Sequence, residues 1–289
     1  MKYIDLHSWP TEKPDEKEYK ESIIALLCDH FCHENITFIL TRDHATLPEY
    51  GKHVIVFLSA NEPSRHPTYS DKVGLIYTDF WTPEMPKNVK NIPLGFNERT
   101  SGRFIAGEKI TPITERSIDM CFVGSHHGTN SHRMEMLASL NKIDPSIKKV
   151  VSTYSGFFYQ PNNYEEVARK NGYIDLLYNT KISLCPGGNA SSGSGHFAGW
   201  ETYRFNESQR AGNIIVCNYD WSEWYKGPNV IVIDSWSNLT TQFVHNLLKQ
   251  DLDTLQRQGI KNYKEKISRV NVLNSIVNDI ESLLGAGGG

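Results

Sequence analysis

The chain has 289 residues, 39% of them apolar and 22% charged, which is enough to bury one large core or two modest ones. A net charge of -3 without any dense Lys/Arg cluster argues against a nucleic-acid partner. No apolar run reaches the length of a membrane span, and Met1 to His7 lacks the apolar core of a signal peptide, so a soluble, cytoplasmic chain is expected.

Short β-branched runs predict strands at Lys2–Leu6, Ile36–Leu40, His53–Leu58 and Val73–Tyr77, with an amphipathic helix over Glu16–Phe31. The cluster Cys28-Asp29-His30-Phe31-Cys32-His33 ends that helix, where the thiols read as small hydrophobes. Five cysteines make an odd set, and free thiols are expected. Asn91-Ile92-Pro93-Leu94-Gly95-Phe96-Asn97 leads into a polar, Gly-containing segment through Glu115 in which neither period holds, as in a linker, and the lobe boundary is placed near residue 112.

The alternation then resumes with strands at Ile118–Val123, Lys149–Thr153, Ile182–Leu184, Ile214–Cys217 and Val230–Ile233. Helices are predicted between them at Ser131–Leu140, Tyr164–Leu177 and Gly199–Arg210. Beyond Leu239 only helical spacing remains, and these helices should pack across both lobes. The expected organisation is an α/β chain of two Rossmann-like domains, 1–112 on the acceptor side and 113–268 on the donor side. Residues 269–284 form a helix returning to the first lobe, and 285–289 a flexible glycine-rich tail.

The segment Ile182-Ser183-Leu184-Cys185-Pro186-Gly187-Gly188 is a strand that stops at two glycines, whose bare backbone lets N–H groups approach a phosphate. After a Gly/Ser-rich loop, a helix carries Arg204 and Glu207 and closes at Gly212 before the next strand. Three residues apart, the guanidinium can meet a diphosphate while the carboxylate accepts from a ribose diol. Alone, such a pair is more often a surface ion pair worth roughly 0.2–0.5 kcal/mol; its place behind Cys-Pro-Gly-Gly reverses that preference.

A second segment, Met120 to Arg133, is a strand ending in Gly124, then a polar loop, then a helix capped by Asn130 or Ser131 with Arg133 in its first turn. There a helix N-terminus and a guanidinium would stabilise the charge of a departing nucleotide. The adjacent His126 and His127 cannot readily share one metal ion, and the Asp251-Leu252-Asp253 triplet lies far from any strand end. Neither lobe carries Gly-x-Gly-x-x-Gly after its first strand, which disfavours a dinucleotide oxidoreductase.

Over about residues 118 to 235 these motifs resemble the exostosin-like glycosyltransferases, glycosyltransferase family 47, particularly short anchor-free members such as those of large algal viruses. The resemblance implies a GT-B type fold, two lobes facing a cleft, and transfer of a sugar from a UDP-sugar to a glycan hydroxyl. It also implies inversion; with no Asp-x-Asp at a strand end, the arginines rather than a divalent metal or other cofactor are expected to stabilise the leaving group. Arg204 would meet the diphosphate and Glu207 the ribose, with Arg133, Gly124, Ser125, Pro186, Gly187 and Gly188 completing the donor site. Asn213 and Ile215 depart from it, standing where members often have Cys and Pro.

Inversion requires a base from the first lobe. Asp71 and Asp79 are the leading candidates, ahead of Glu62 and His7, because loops around the C-terminal strand ends line the clefts of such sheets. A pentose donor such as UDP-xylose is the first guess. The alternative is a non-catalytic sugar-nucleotide or glycan-binding module of the same fold.

Overall fold

A computed structural model of the chain describes residues 1–6, 14–41, 46–58, 69–79, 85–93, 110–125, 131–154, 172–187, 202–218, 224 and 226–285. The first lobe is a parallel sheet of β1 (Lys2–Asp5), β2 (Thr37–Thr41), β3 (Gly51–Leu58), β4 (Val73–Thr78) and β5 (Val89–Asn91), with α1 (Pro14–His30) between β1 and β2. Phe38, Leu40, Ile55, Phe57, Leu75 and Tyr77 pack with Tyr19, Ile23, Ile24 and Leu27 of α1. Ile39, Val54, Val56, Leu58 and Ile76 enter a second cluster on the other face. Burial on both faces explains why these runs are almost continuously apolar.

The four expected strands are present, and β5 is an addition. Val89-Lys90-Asn91 is too short to show a period of its own. The strands lie in simple chain order, β1-β2-β3-β4-β5. The lobe is therefore parallel α/β, but its described strands lack the reversal of order that creates a binding crevice in a doubly wound sheet.

The second lobe comprises β6 (Ile118–Ser125), α2 (Ser131–Leu140), β7 (Lys149–Tyr154), α3 (Tyr173–Tyr178), β8 (Thr180–Leu184), α4 (Tyr203–Arg210), β9 (Ile214–Cys217) and β10 (Val230–Val232). All five strands stand where the apolar runs predict them. Their order is β10-β9-β8-β6-β7, all parallel. Since β6 pairs with β7 on one side and β8 on the other, the winding reverses between β6 and β8. Beyond the C-terminal ends of those two strands is where such sheets bind ligands. The parts of the expected helices at 164–171 and 199–201 lie outside the described residues.

Helices α5 (Thr241–Leu248) and α6 (Leu252–Asn262) pack on the second lobe, where Val244, Leu247 and Leu252 join Phe122, Ile182, Leu184 and Val216. A π-helical turn (Tyr263–Ile267) and an extended Ser268 then redirect the chain into α7 (Arg269–Gly285). Val272, Ile276 and Ile280 of α7 are buried in the first-lobe core, a contribution of roughly 1.5–3 kcal/mol each. The same cluster takes in Cys185, Phe205, Ile215 and Cys217 of the second lobe. The C-terminal helices thus span both lobes, as expected. Trp224 adds a polar link by donating its indole N–H to the Asn91 carbonyl at the end of β5, at 2.7 Å.

Candidate functional site

The reversal between β6 and β8 brings together Gly124 at the end of β6, Pro186 and Gly187 after β8, and Arg204 of α4. The Arg204 Nε donates to the Val123 carbonyl at 2.6 Å, and the guanidinium lies 4.6 Å from the centre of the Phe122 ring. A Cβ on Gly124 would overlap Nη2, so in this placement the guanidinium lies over a bare backbone. Its Nη1 is buried without a hydrogen-bond partner among the described residues, and the side chain is 9% exposed. Buried polar groups are normally satisfied, so this donor calls for an acceptor that the described residues do not supply.

The floor beneath Arg204 is apolar. Burial pushes the Cys185 thiol up to about 12, against the opposing pull of the Arg204 charge, and moves Cys121 in the same direction for the same reason. Both thiols stay neutral, behaving as the small hydrophobes their apolar runs suggest.

Glu207 follows one turn later on α4, is 2% exposed, and accepts a 2.7 Å hydrogen bond on Oε2 from the Tyr173 hydroxyl. Placement of both side chains depends on how α4 ends. Gly212 donates to the Gln209 carbonyl and Asn213 to the Ser208 carbonyl, each at 3.0 Å, with Gly212 at φ 70°. This is the paired-bond helix stop that glycine permits. A 2.7 Å hydrogen bond between the Ser208 and Ser183 hydroxyls ties the helix to β8.

Arg133 is buried in the first turn of α2, at 8% exposure. Beside it, His132 Nδ1 lies 3.2 Å from the Asn218 amide just beyond β9, so the N-terminus of α2 stands at the C-terminal edge of the sheet. Ser125 ends β6; Gly188, Glu62 and His7 lie outside the described residues.

In the first lobe, Asp79 follows β4 at its C-terminal end and forms a 2.6 Å ion pair with Lys20 of α1, whose side chain is fully buried. Asp71 sits in the 3-10 turn Ser70–Lys72 before β4. Roughly 20 Å of strand separates the two carboxylates. Asp71 thus does not stand at a C-terminal strand end, where the base was expected: it precedes β4 on the opposite edge of the sheet, while Trp224 of the second lobe reaches the edge that Asp79 shares.

Three residues with defined roles carry no motif. Arg116 donates to the carbonyls of Thr111, Leu177, Thr180 and Ala211, closing the ends of α3 and α4 around one guanidinium; burial lowers its pKa to about 10. Lys20 and Tyr173 act on Asp79 and Glu207. The two departures from the family pattern also have local work. The Asn213 amide donates to Leu177 and Thr180 carbonyls, and the Ile215 N–H donates to the Asn229 carbonyl, a bond proline could not make.

Asp251 is the N-cap of α6, accepting from the Thr254 N–H and hydroxyl, while Asp253 accepts from the Thr114 hydroxyl. The Asp-x-Asp triplet is thus a helix start. Among the described residues no group of three His, Cys, Asp or Glu side chains could hold a metal ion. All five cysteines are free, and Cys32 is exposed rather than in the core. No described helix is long and apolar enough to cross a membrane.

Two parallel α/β lobes with C-terminal helices spanning both define the GT-B fold. Among solved structures, the chain is similar to AviGT4, a glycosyltransferase involved in avilamycin A biosynthesis, at TM-score 0.52 and 12% identity over 98% of each chain. It is also similar to accessory secretory proteins 1, 2 and 3 of Streptococcus pneumoniae, at TM-score 0.50 and 11% identity over 92% of this chain and 58% of that one. At such identities the likeness establishes the fold. No protein-family profile and no curated protein matches the chain, so the likeness to family 47 rests on the motifs alone.

Proposed function

We propose that this chain is a glycosyltransferase that moves a sugar from a UDP-sugar to a glycan hydroxyl, with inversion and without a divalent metal. The observation that carries the reading is Arg204, held at the reversal of the second sheet with Nη1 buried and without an acceptor among the described residues. Arg204 takes the diphosphate, Glu207 the ribose, and Arg133 with the α2 N-terminus the charge that develops as UDP departs. Gly124, Pro186 and Gly187 keep the approach open, and Ser125 and Gly188 belong to the same loops.

Asp79 is the proposed base. Its Oδ2 is engaged by Lys20, and Oδ1 would receive the acceptor's proton. The wholly buried partner also favours a second reading, a sugar-nucleotide or glycan-binding module in which Asp79 is structural.

Thermal-shift titration with UDP-sugars, UDP-xylose first, with and without a chelator, tests the proposal, since a ligand specific to the folded state stabilises it by RT ln(1 + [L]/Kd) and so raises the melting temperature. Stabilisation unchanged by the chelator, together with turnover that Asp79→Asn abolishes, is expected. A strict metal requirement overturns the mechanism, and binding without transfer or slow hydrolysis favours the module.

A further inference from the structure

We infer that Tyr173 is a specificity-determining residue of the nucleotide site, a positioning group that holds Glu207 in the orientation that reads a ribose 2'-hydroxyl. The inference rests on the proposed role of Glu207. Its evidence is separate: a 2.7 Å bond between two side chains that are 8% and 2% exposed, from elements 34 residues apart in the chain.

A Glu side chain has broad freedom about its last torsion, so a helix places the carboxylate without fixing its plane. A diol is recognised by both hydroxyls together only when that plane is set. The Tyr173 hydroxyl is a donor to Oε2, and the phenol ring, packed in a cluster with Cys121, Ile174, Leu177 and Ala211, cannot swing away.

The element carrying Tyr173 is itself held from outside. Six residues are too few for a stable isolated helix. The C-terminal carbonyl Leu177 O of α3 accepts from Asn213 Nδ2 at 3.0 Å and from Arg116 Nη1 at 3.4 Å, while Arg116 Nη2 also donates to Ala211 O beyond α4. One buried guanidinium therefore ties together the ends of the helix that carries Tyr173 and the helix that carries Glu207. Their separation is set by bonds to backbone, and the Tyr173 hydroxyl acts on the carboxylate itself.

The test compares UDP with 2'-deoxy-UDP by calorimetry on the wild-type chain and on Tyr173→Phe, which keeps the ring and removes the donor. The wild type should prefer UDP. Tyr173→Phe should weaken UDP by about tenfold or more, the usual effect of losing a hydrogen bond to a charged group, and 2'-deoxy-UDP much less, so that the preference shrinks. Partial unfolding lowers both affinities equally and leaves their ratio unmoved. A full preference retained in Tyr173→Phe overturns the inference alone. A wild-type chain that binds both nucleotides equally, or neither, overturns the role of Glu207 and the inference with it.

Discussion

Gly124 and Arg204 compete for one volume: a Cβ on Gly124 would overlap Arg204 Nη2, while the Arg204 Nε is tied to the neighbouring Val123 carbonyl. Gly124→Ala should therefore displace the guanidinium. Loss of a charge-assisted bond costs about 1.5–3 kcal/mol, so UDP affinity should fall roughly ten- to a hundredfold. Calorimetry on Gly124→Ala, Arg204→Ala and the double variant checks this, and additive losses would show that the two residues act separately.

Lys20 and Asp79 are a buried ion pair whose partners stand 59 residues apart. Lys20→Met leaves the carboxylate buried without its cation, a change that typically destabilises by about 3–5 kcal/mol. Lys20→Met with Asp79→Leu should recover most of that loss. Urea unfolding of the three chains measures it; a single variant as stable as the parent would mean that the pair relaxes into solvent.

Asp251 gives a pH dependence with a definite sign. The Thr254 hydroxyl and N–H stabilise its carboxylate, so its pKa in the folded chain lies below the ordinary value. Its contribution to stability is therefore complete above the ordinary carboxylate range and is lost as the pH falls through the lowered value. Asp251→Asn should be less stable than the parent at neutral pH and converge with it in acid. A gap that stays constant across the titration would assign the effect to shape rather than charge.

The cysteines should separate by accessibility. Cys32 is exposed, while Cys121, Cys185 and Cys217 are buried and Cys185 is pushed up to about 12 by that burial. Brief alkylation of the native chain at neutral pH should modify Cys32 first and leave those three intact until denaturant is added. Mass mapping reads this directly, and early modification of Cys185 would show that the floor of the site opens.

What could be read before folding is what is local. Nine of the ten strands announce themselves as short apolar runs, because burial on both faces of a parallel sheet demands them; β5 does not, because three residues leave no period. Arg204 and Glu207 were legible because three residues on a helix define one face, and Gly212 because the helix stop needs a positive φ.

The tertiary structure decided everything that depends on strand order. Local pattern was enough for a parallel α/β chain and for the strand ends and the α4 pair from which the candidate site is built. It could not say that the first sheet runs in simple order, that Asp71 and Asp79 take opposite ends of β4, or that Tyr173, Lys20 and Arg116 reach their partners. Side-chain period records only which face of its own element a residue occupies. Which elements then meet is settled by the packing of whole sheets and helices, where partners 34, 59 or 95 residues apart are brought within hydrogen-bonding distance.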